Sequence, residues 1–177
     1  YYENQGDVIR TTSQLLQRMQ QMSLISPSLE PLTTNLLYQA YANISNHFDV
    51  RQGGLGTHPK FPQPMTYEFL LRYYLRSQDT KALEMVELTL ERMAEGGIYD
   101  QIGGGFHRYS TDTTWLVPHF EKMLYDNALL VKLYLHAFQV TGKTLYRRII
   151  EETLDYMLRE MTDPLGGFYS AQDADSE

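Results

Sequence analysis

Residues 99–107 read "YDQIGGGFH", and the same figure recurs as "FDVRQGGLG" at 48–56 and "TDPLGGFYS" at 162–170. Each copy has an aspartate, a Gly-Gly pair three or four positions on, and then a bulky apolar residue. Gly53–Gly54, Gly104–Gly105 and Gly166–Gly167 thus recur about every 50–60 residues, the size of one helical hairpin plus its loop. Two glycines at such a corner supply positive φ and let backbones approach closely.

Working outward from the corners, apolar residues at i, i+3, i+4 and i+7 draw six amphipathic helices. They cover about 6–22, 33–47, 65–77, 80–95, 118–141 and 143–162. Pro62 and Pro64 lie just before the third, and Gly96 and Gly97 stop the fourth. Pro118 starts the fifth, and Asp163 with Pro164 ends the sixth. Strand-like alternation is nearly missing. Links after helices one, three and five are comparatively short, the first holding Pro27 and Pro31, and those after helices two, four and six are the glycine-rich corners.

In antiparallel helices every second connection falls on one side, so all three corners are expected on one rim. The expected fold is all-α: about six helices as three αα-hairpins, half of an (α/α)6 toroid, with residues 1–177 as a single domain. A half-ring exposes its flanks, which further sequence or a second copy, in a homodimer, would cover. The chain opens on Tyr1 and stops inside a loop at "SAQDADSE", and is read as a piece of a longer protein.

A net charge of −7 argues against a nucleic-acid partner, because phosphate binding wants a clustered basic face. Cysteine is absent, which excludes disulfides, thiolate metal ligation and thiol catalysis here and fits a reducing, cytoplasmic interior. No apolar run approaches the roughly 20 residues of a membrane span, and no signal peptide opens the chain. No membrane partner is expected. The fourteen tyrosines serve packing between helices or stacking on sugar faces.

Residues 96–130, "GGIYDQIGGGFHRYSTDTTWLVPHFEKMLYDNALL", carry most of the chemistry. Helix five is apolar over most of its circumference, so an inner, largely covered position is expected. His119 and Glu121 are expected in its first turn, where a histidine can act as acid or base near neutral pH and a carboxylate beside it tunes its protonation. Lys122 and Asp126, four apart, are expected to pair on the helix surface. The neighbouring loop adds His107, Arg108, Tyr109, Asp112 and Trp115, and an equivalent loop adds His58 and Lys60. Such convergence of polar groups between aromatic walls makes a binding site for a small molecule.

The expected acid–base residues are His107, His119, Glu121 and Asp126. His58, Lys60, Arg108, Tyr109, Trp115, Lys122, Asp173 and Asp175 are expected to bind the substrate. Asp173, Asp175 and Glu177 alternate as chelating acids do but lack the further ligands of a calcium loop, so no metal and no cofactor is expected. Neither a phosphate-binding Gly-Lys-Ser/Thr nor a Gly-x-Ser-x-Gly elbow is present.

"GGLGTHPKFPQP", the long stretch at 96–130 and "GGFYSAQDADSE" together resemble the thioredoxin-domain-containing family of spermatogenesis-associated protein 20 and the bacterial YyaL-type proteins, from about residue 30 onward. The resemblance implies a longer parent with a thioredoxin-like domain first, followed by an α/α toroid similar to the six-hairpin glycosidases and the N-acylglucosamine 2-epimerases. These residues would be the first half of that toroid. The thioredoxin-like domain and its cysteines are absent, so no redox role is carried over. In the related epimerases histidines act as acid and base on a ring-opened sugar, which by analogy points to His107 and His119. The implied activity is sugar epimerase/isomerase-like or glycoside-processing, on a sugar-like ligand, with the isolated piece inactive. A hydrolase would draw two carboxylates from Glu121, Asp126, Asp173 and Asp175. The alternative is a non-catalytic sugar- or protein-binding scaffold attached to the redox domain.

Overall fold

The computed structural model describes residues 5–23 and 31–175. The link bearing Pro27 and the terminal Glu177 lie outside the described residues. The chain divides into two compact units, residues 1–33 and 34–177. The first holds α1 (Gln5–Ser23), whose first turn places Asp7 where the helix dipole favours a carboxylate. Asp7 pairs with Arg10. Every residue of α1 is exposed, Ile9, Leu16 and Met19 among them.

The second unit holds α2 (Asn35–Asn46), α3 (Pro64–Ser77), α4 (Thr80–Glu95), α5 (Leu124–Thr141) and α6 (Thr144–Glu160). Four strands of two residues accompany them: β1 (Tyr109–Ser110), β2 (Pro118–His119), β3 (Lys122–Met123) and β4 (Ala171–Gln172). The α3/α4 hairpin turns on Gln78, left-handed at φ 59°, and on Asp79, whose carboxylate caps α4 by accepting from the Lys81 N–H. The α5/α6 hairpin turns on Gly142. As expected of an inner helix, α5 packs against α3, α4 and α6, burying Leu130, Leu133, Tyr134 and Ala137. Six tyrosines are buried in the unit. Tyr134, for example, lies on Phe106 and gives its hydroxyl proton to the Leu90 carbonyl at 2.7 Å.

The three corners repeat one backbone hydrogen-bond pattern, the third in a turn one residue shorter. Asp49, Asp100 and Asp163 donate their N–H to the carbonyl of the second glycine, at 3.0, 2.9 and 3.1 Å. Their own carbonyls accept from the N–H of Gly53, Gly104 and Gly166. The paired glycines have φ between 67° and 96° in all three copies, a region closed to most side chains. Two residues past each pair, the N–H of Gly56, His107 or Tyr169 returns to the carbonyl of His47, Ile98 or Met161. Single bridges, Phe48 with Leu55, Tyr99 with Phe106 and Thr162 with Phe168, complete each corner.

The corners share a rim, as the alternation of loop lengths predicts. Lys60 exchanges backbone hydrogen bonds with Ser110, and β3 pairs with β4, tying the first corner's segment to the second and the second to the third. One expectation fails here. The fifth helix starts at Leu124, because residues 118–123 are extended and spend their backbone groups on distant partners. Tyr109 pairs with His119 and Ser110 with Pro118, while Lys122 pairs with Gln172 and Met123 with Ala171. His119, Glu121 and Lys122 therefore stand on strands and their link, not in a first helical turn, and strands are present after all.

Candidate functional site

The lysines of the rim are structural. Lys60, fully buried, places Nζ 2.7 Å from Asp49 Oδ2 and 2.8 Å from the Gly53 carbonyl, with the Trp115 ring 5.5 Å away. Lys122 repeats this on Asp100 Oδ2 at 2.7 Å and the Gly104 carbonyl at 2.9 Å, with the Tyr156 ring 4.2 Å away. The expected Lys122–Asp126 pair does not form, since Lys122 leaves the helix and points into the second corner. Burial pushes the Asp100 carboxyl up. The Lys122 ammonium and the N–H groups of Gly103 and Ile102 outweigh it and hold the pKa at about 2.

Trp115 is likewise a plug and no stacking surface. It is fully buried, and its indole N–H donates to the Gln52 carbonyl at 2.9 Å. Its φ of 67° is uncommon for a bulky residue. Asp112 holds the turn that imposes it, accepting from the N–H groups of Thr114, Leu116 and Val117. Lys60, Lys122 and Trp115, expected to bind substrate, thus face the interior.

The remaining groups gather around β1 and β2. Phe61, Tyr109 and His119 form a stack: Phe61 and Tyr109 are 4.9 Å apart between ring centres, and Tyr109 and His119 are 4.8 Å apart and nearly parallel. His119 Nδ1 is buried and has no hydrogen-bond partner among the described residues. His107 is buried at the second corner. Its Nδ1–H donates to the Phe120 carbonyl at 3.0 Å, which leaves Nε2 carrying the lone pair of the neutral ring. Burial lowers the His107 pKa, with Lys122 and His119 adding to it and the Phe120 carbonyl and Asp100 opposing it, which favours the neutral ring.

Arg108 Nη1 bonds Glu121 Oε2 at 2.6 Å, and the Arg108 N–H donates to the Glu121 carbonyl, so strand pairing sets the ion pair's register. Asp126, in the first turn of α5, is half-buried. Burial raises its pKa and the Glu121 charge adds to this, against the Tyr125 hydrogen bond and the pull of Arg108. Two carboxylates and a guanidinium thus lie close together. His58 is exposed on the loop before Lys60. Asp173 and Asp175 are exposed beyond β4, and Asp173 accepts from the Ala174 N–H.

One polar cluster escapes the sequence reading. Glu68 of α3, nearly buried, accepts from Arg72 Nε at 2.8 Å and meets His136 Nδ1 of α5 at 2.8 Å. It borders a groove of about 140 Å³ with Pro64, Met65, Leu129 and Lys132. Glu68 and Arg72 share a helical face by their spacing, but nothing local ties them to His136. A larger hollow of about 530 Å³ lies between α2 and α4, lined by Tyr38, Tyr41, Ser45 and Met85 and by none of the expected site residues. Among the described residues no three His, Asp or Glu side chains are placed to share a metal ion, and no helix is long and apolar enough to cross a membrane.

No family model matches the chain. Solved structures define the class. A sugar epimerase from a ruminal bacterium superposes with a TM-score of 0.69 at 12% identity, covering 81% of this chain and 41% of that one. An unsaturated glucuronyl hydrolase specific for heparin superposes at 0.64 and 10% identity, over 76% of this chain and 41% of the other. At such identity the likeness shows the fold alone: this is half of an α/α toroid. Human spermatogenesis-associated protein 20 is 43% identical over 171 residues, 94% of this chain, and the chain belongs to its family. It spans 22% of the length of that relative.

Proposed function

We propose that the rim around β1 and β2 is part of a carbohydrate-processing active site of the epimerase or isomerase type, completed in the full-length protein. The observation that carries this is the buried, neutral His107, oriented through Nδ1, beside His119 on an aromatic stack. Isomerising an open-chain sugar requires a base to take the proton from the carbon next to the carbonyl and an acid to return one. A neutral imidazole with a free Nε2 suits the first task at neutral pH, and His119 suits the second. Exposed Phe61 and half-exposed Tyr109 offer apolar faces to a sugar ring. Arg108 and Glu121 would hold its oxygens, and Asp126, keeping its proton to higher pH than usual, would be a further donor.

The fold shared with a sugar epimerase and a glucuronyl hydrolase supports the substrate class. Attachment to a thioredoxin-like domain is part of the same reading.

The test uses the full-length protein, a panel of aldoses, ketoses and disaccharides in D2O, and NMR detection of deuterium next to the carbonyl. His107→Gln and His119→Ala should each lower exchange by about 10²–10⁴-fold. Turnover retained in both variants removes the assignment. Binding by thermal shift without exchange favours the non-catalytic scaffold.

A further inference from the structure

The first and second corners are each closed by three parts, and the third has only one of them. All three share the backbone pattern and an aspartate whose Oδ1 accepts from the N–H two residues on. At the first two corners Oδ2 and the first glycine carbonyl then chelate a buried lysine. That lysine lies downstream in the same chain, 11 residues past Asp49 and 22 past Asp100.

The wall behind each pair also follows a rule, because it comes from the helix two further along. A methyl at Gly53 would stand 2.7 Å from Thr89 of α4, and methyls at Gly104 and Gly105 would stand 2.6 and 2.5 Å from Glu152 and Tyr156 of α6.

The third corner follows α6 and has neither part. Among the described residues nothing lies within 4 Å of a methyl at Gly166 or Gly167. Leu165 is 97% exposed, and Phe168 and Tyr169 are about half exposed. The Tyr169 hydroxyl, 2.6 Å away, takes the place on Asp163 Oδ2 that a lysine holds elsewhere. From Asp163 to Glu177 the sequence contains no lysine.

We propose that this corner is the seat of a segment that follows Glu177 in the full-length protein. That segment brings a lysine whose ammonium binds Asp163 Oδ2 and the Gly166 carbonyl, and a helix that packs on the diglycine face. The downstream position of both earlier lysines selects continuing sequence over a second copy, and the length of the human relative leaves room for it.

The test is thermal melting of the full-length protein. Asp163→Asn should lower Tm by several degrees, as Asp49→Asn should, while Tyr169→Phe should leave it unchanged because the lysine has displaced the hydroxyl. An unchanged Tm in D163N, or a loss in Y169F matching that in D163N, overturns the proposal. Zero-length carbodiimide coupling in mixed isotope-labelled protein gives a readout independent of folding of the variants. Asp163 joined to a lysine beyond residue 177 of the same chain supports the proposal. Asp163 joined to a lysine of a second copy overturns it, as does Asp163 left free where Asp49 and Asp100 are coupled.

Discussion

The second and third corners have the same backbone hydrogen bonds and opposite surroundings. At Gly104–Gly105 a buried ammonium, an aromatic ring and a helix press on the glycines, whereas at Gly166–Gly167 the same turn stands in the open. Aspartate and diglycine are therefore enough to shape the turn. Its contribution to stability comes from what is brought against it.

The sharpest probe of that difference is Asp100→Asn. It leaves the Lys122 ammonium buried without its counter-charge, and breaking such a pair costs about 3–5 kcal/mol. Urea unfolding of the chain ending at Glu177, where no downstream lysine can reach the third corner, should show that loss, while Asp163→Asn in the same truncated chain should show far less. Equal losses would mean the turn itself, not the lysine, carries the stability. Next come the glycines. Gly105→Ala meets both a φ of 80° and the Tyr156 ring, adding about 1–3 kcal/mol of overpacking to about 1–2 kcal/mol of left-handed strain. In the same chain ending at Glu177, Gly167→Ala meets the strain alone, so its midpoint should shift about half as far.

The pH dependence sharpens the same contrast at smaller amplitude. The Asp100 carboxyl falls from 3.8 to about 2 on folding, so its contribution is present above pH 3.8 and is lost as pH falls towards 2. Roughly 2 kcal/mol of stability should vanish across that window in the native chain and be missing from D100N. His107 also has a depressed pKa. Its contribution is present above the ordinary histidine value of 6.5 and is lost as pH falls below it, so H107Q should flatten that limb of the stability profile.

Much of the fold was legible because its signals are local. Helical periodicity drew every helix, and the diglycine spacing gave the hairpin repeat and the common rim. The stretch 118–123 was misread because its partners lie at 109–110 and 171–172. A proline followed by apolar and charged residues looks the same before a helix as in a short edge strand. Lys60 and Lys122 passed for ligand-binding groups for a similar reason, their charges being answered by aspartates outside their own segments. The aspartate before each diglycine was the available clue. Arg108 and Glu121 meet across 13 residues through backbone pairing, which no helical spacing reveals. The Glu68–His136 contact joins two helices and left no trace in local spacing.

The position two past each diglycine pair is occupied by Gly56, His107 and Tyr169, always with its N–H tied to the carbonyl two residues before the corner's aspartate. Because that tether involves main-chain atoms only, a duplicated unit can exchange the side chain there without re-engineering its own scaffold. One corner then carries no side chain there, another an imidazole and a third a phenol, on one shared backbone pattern.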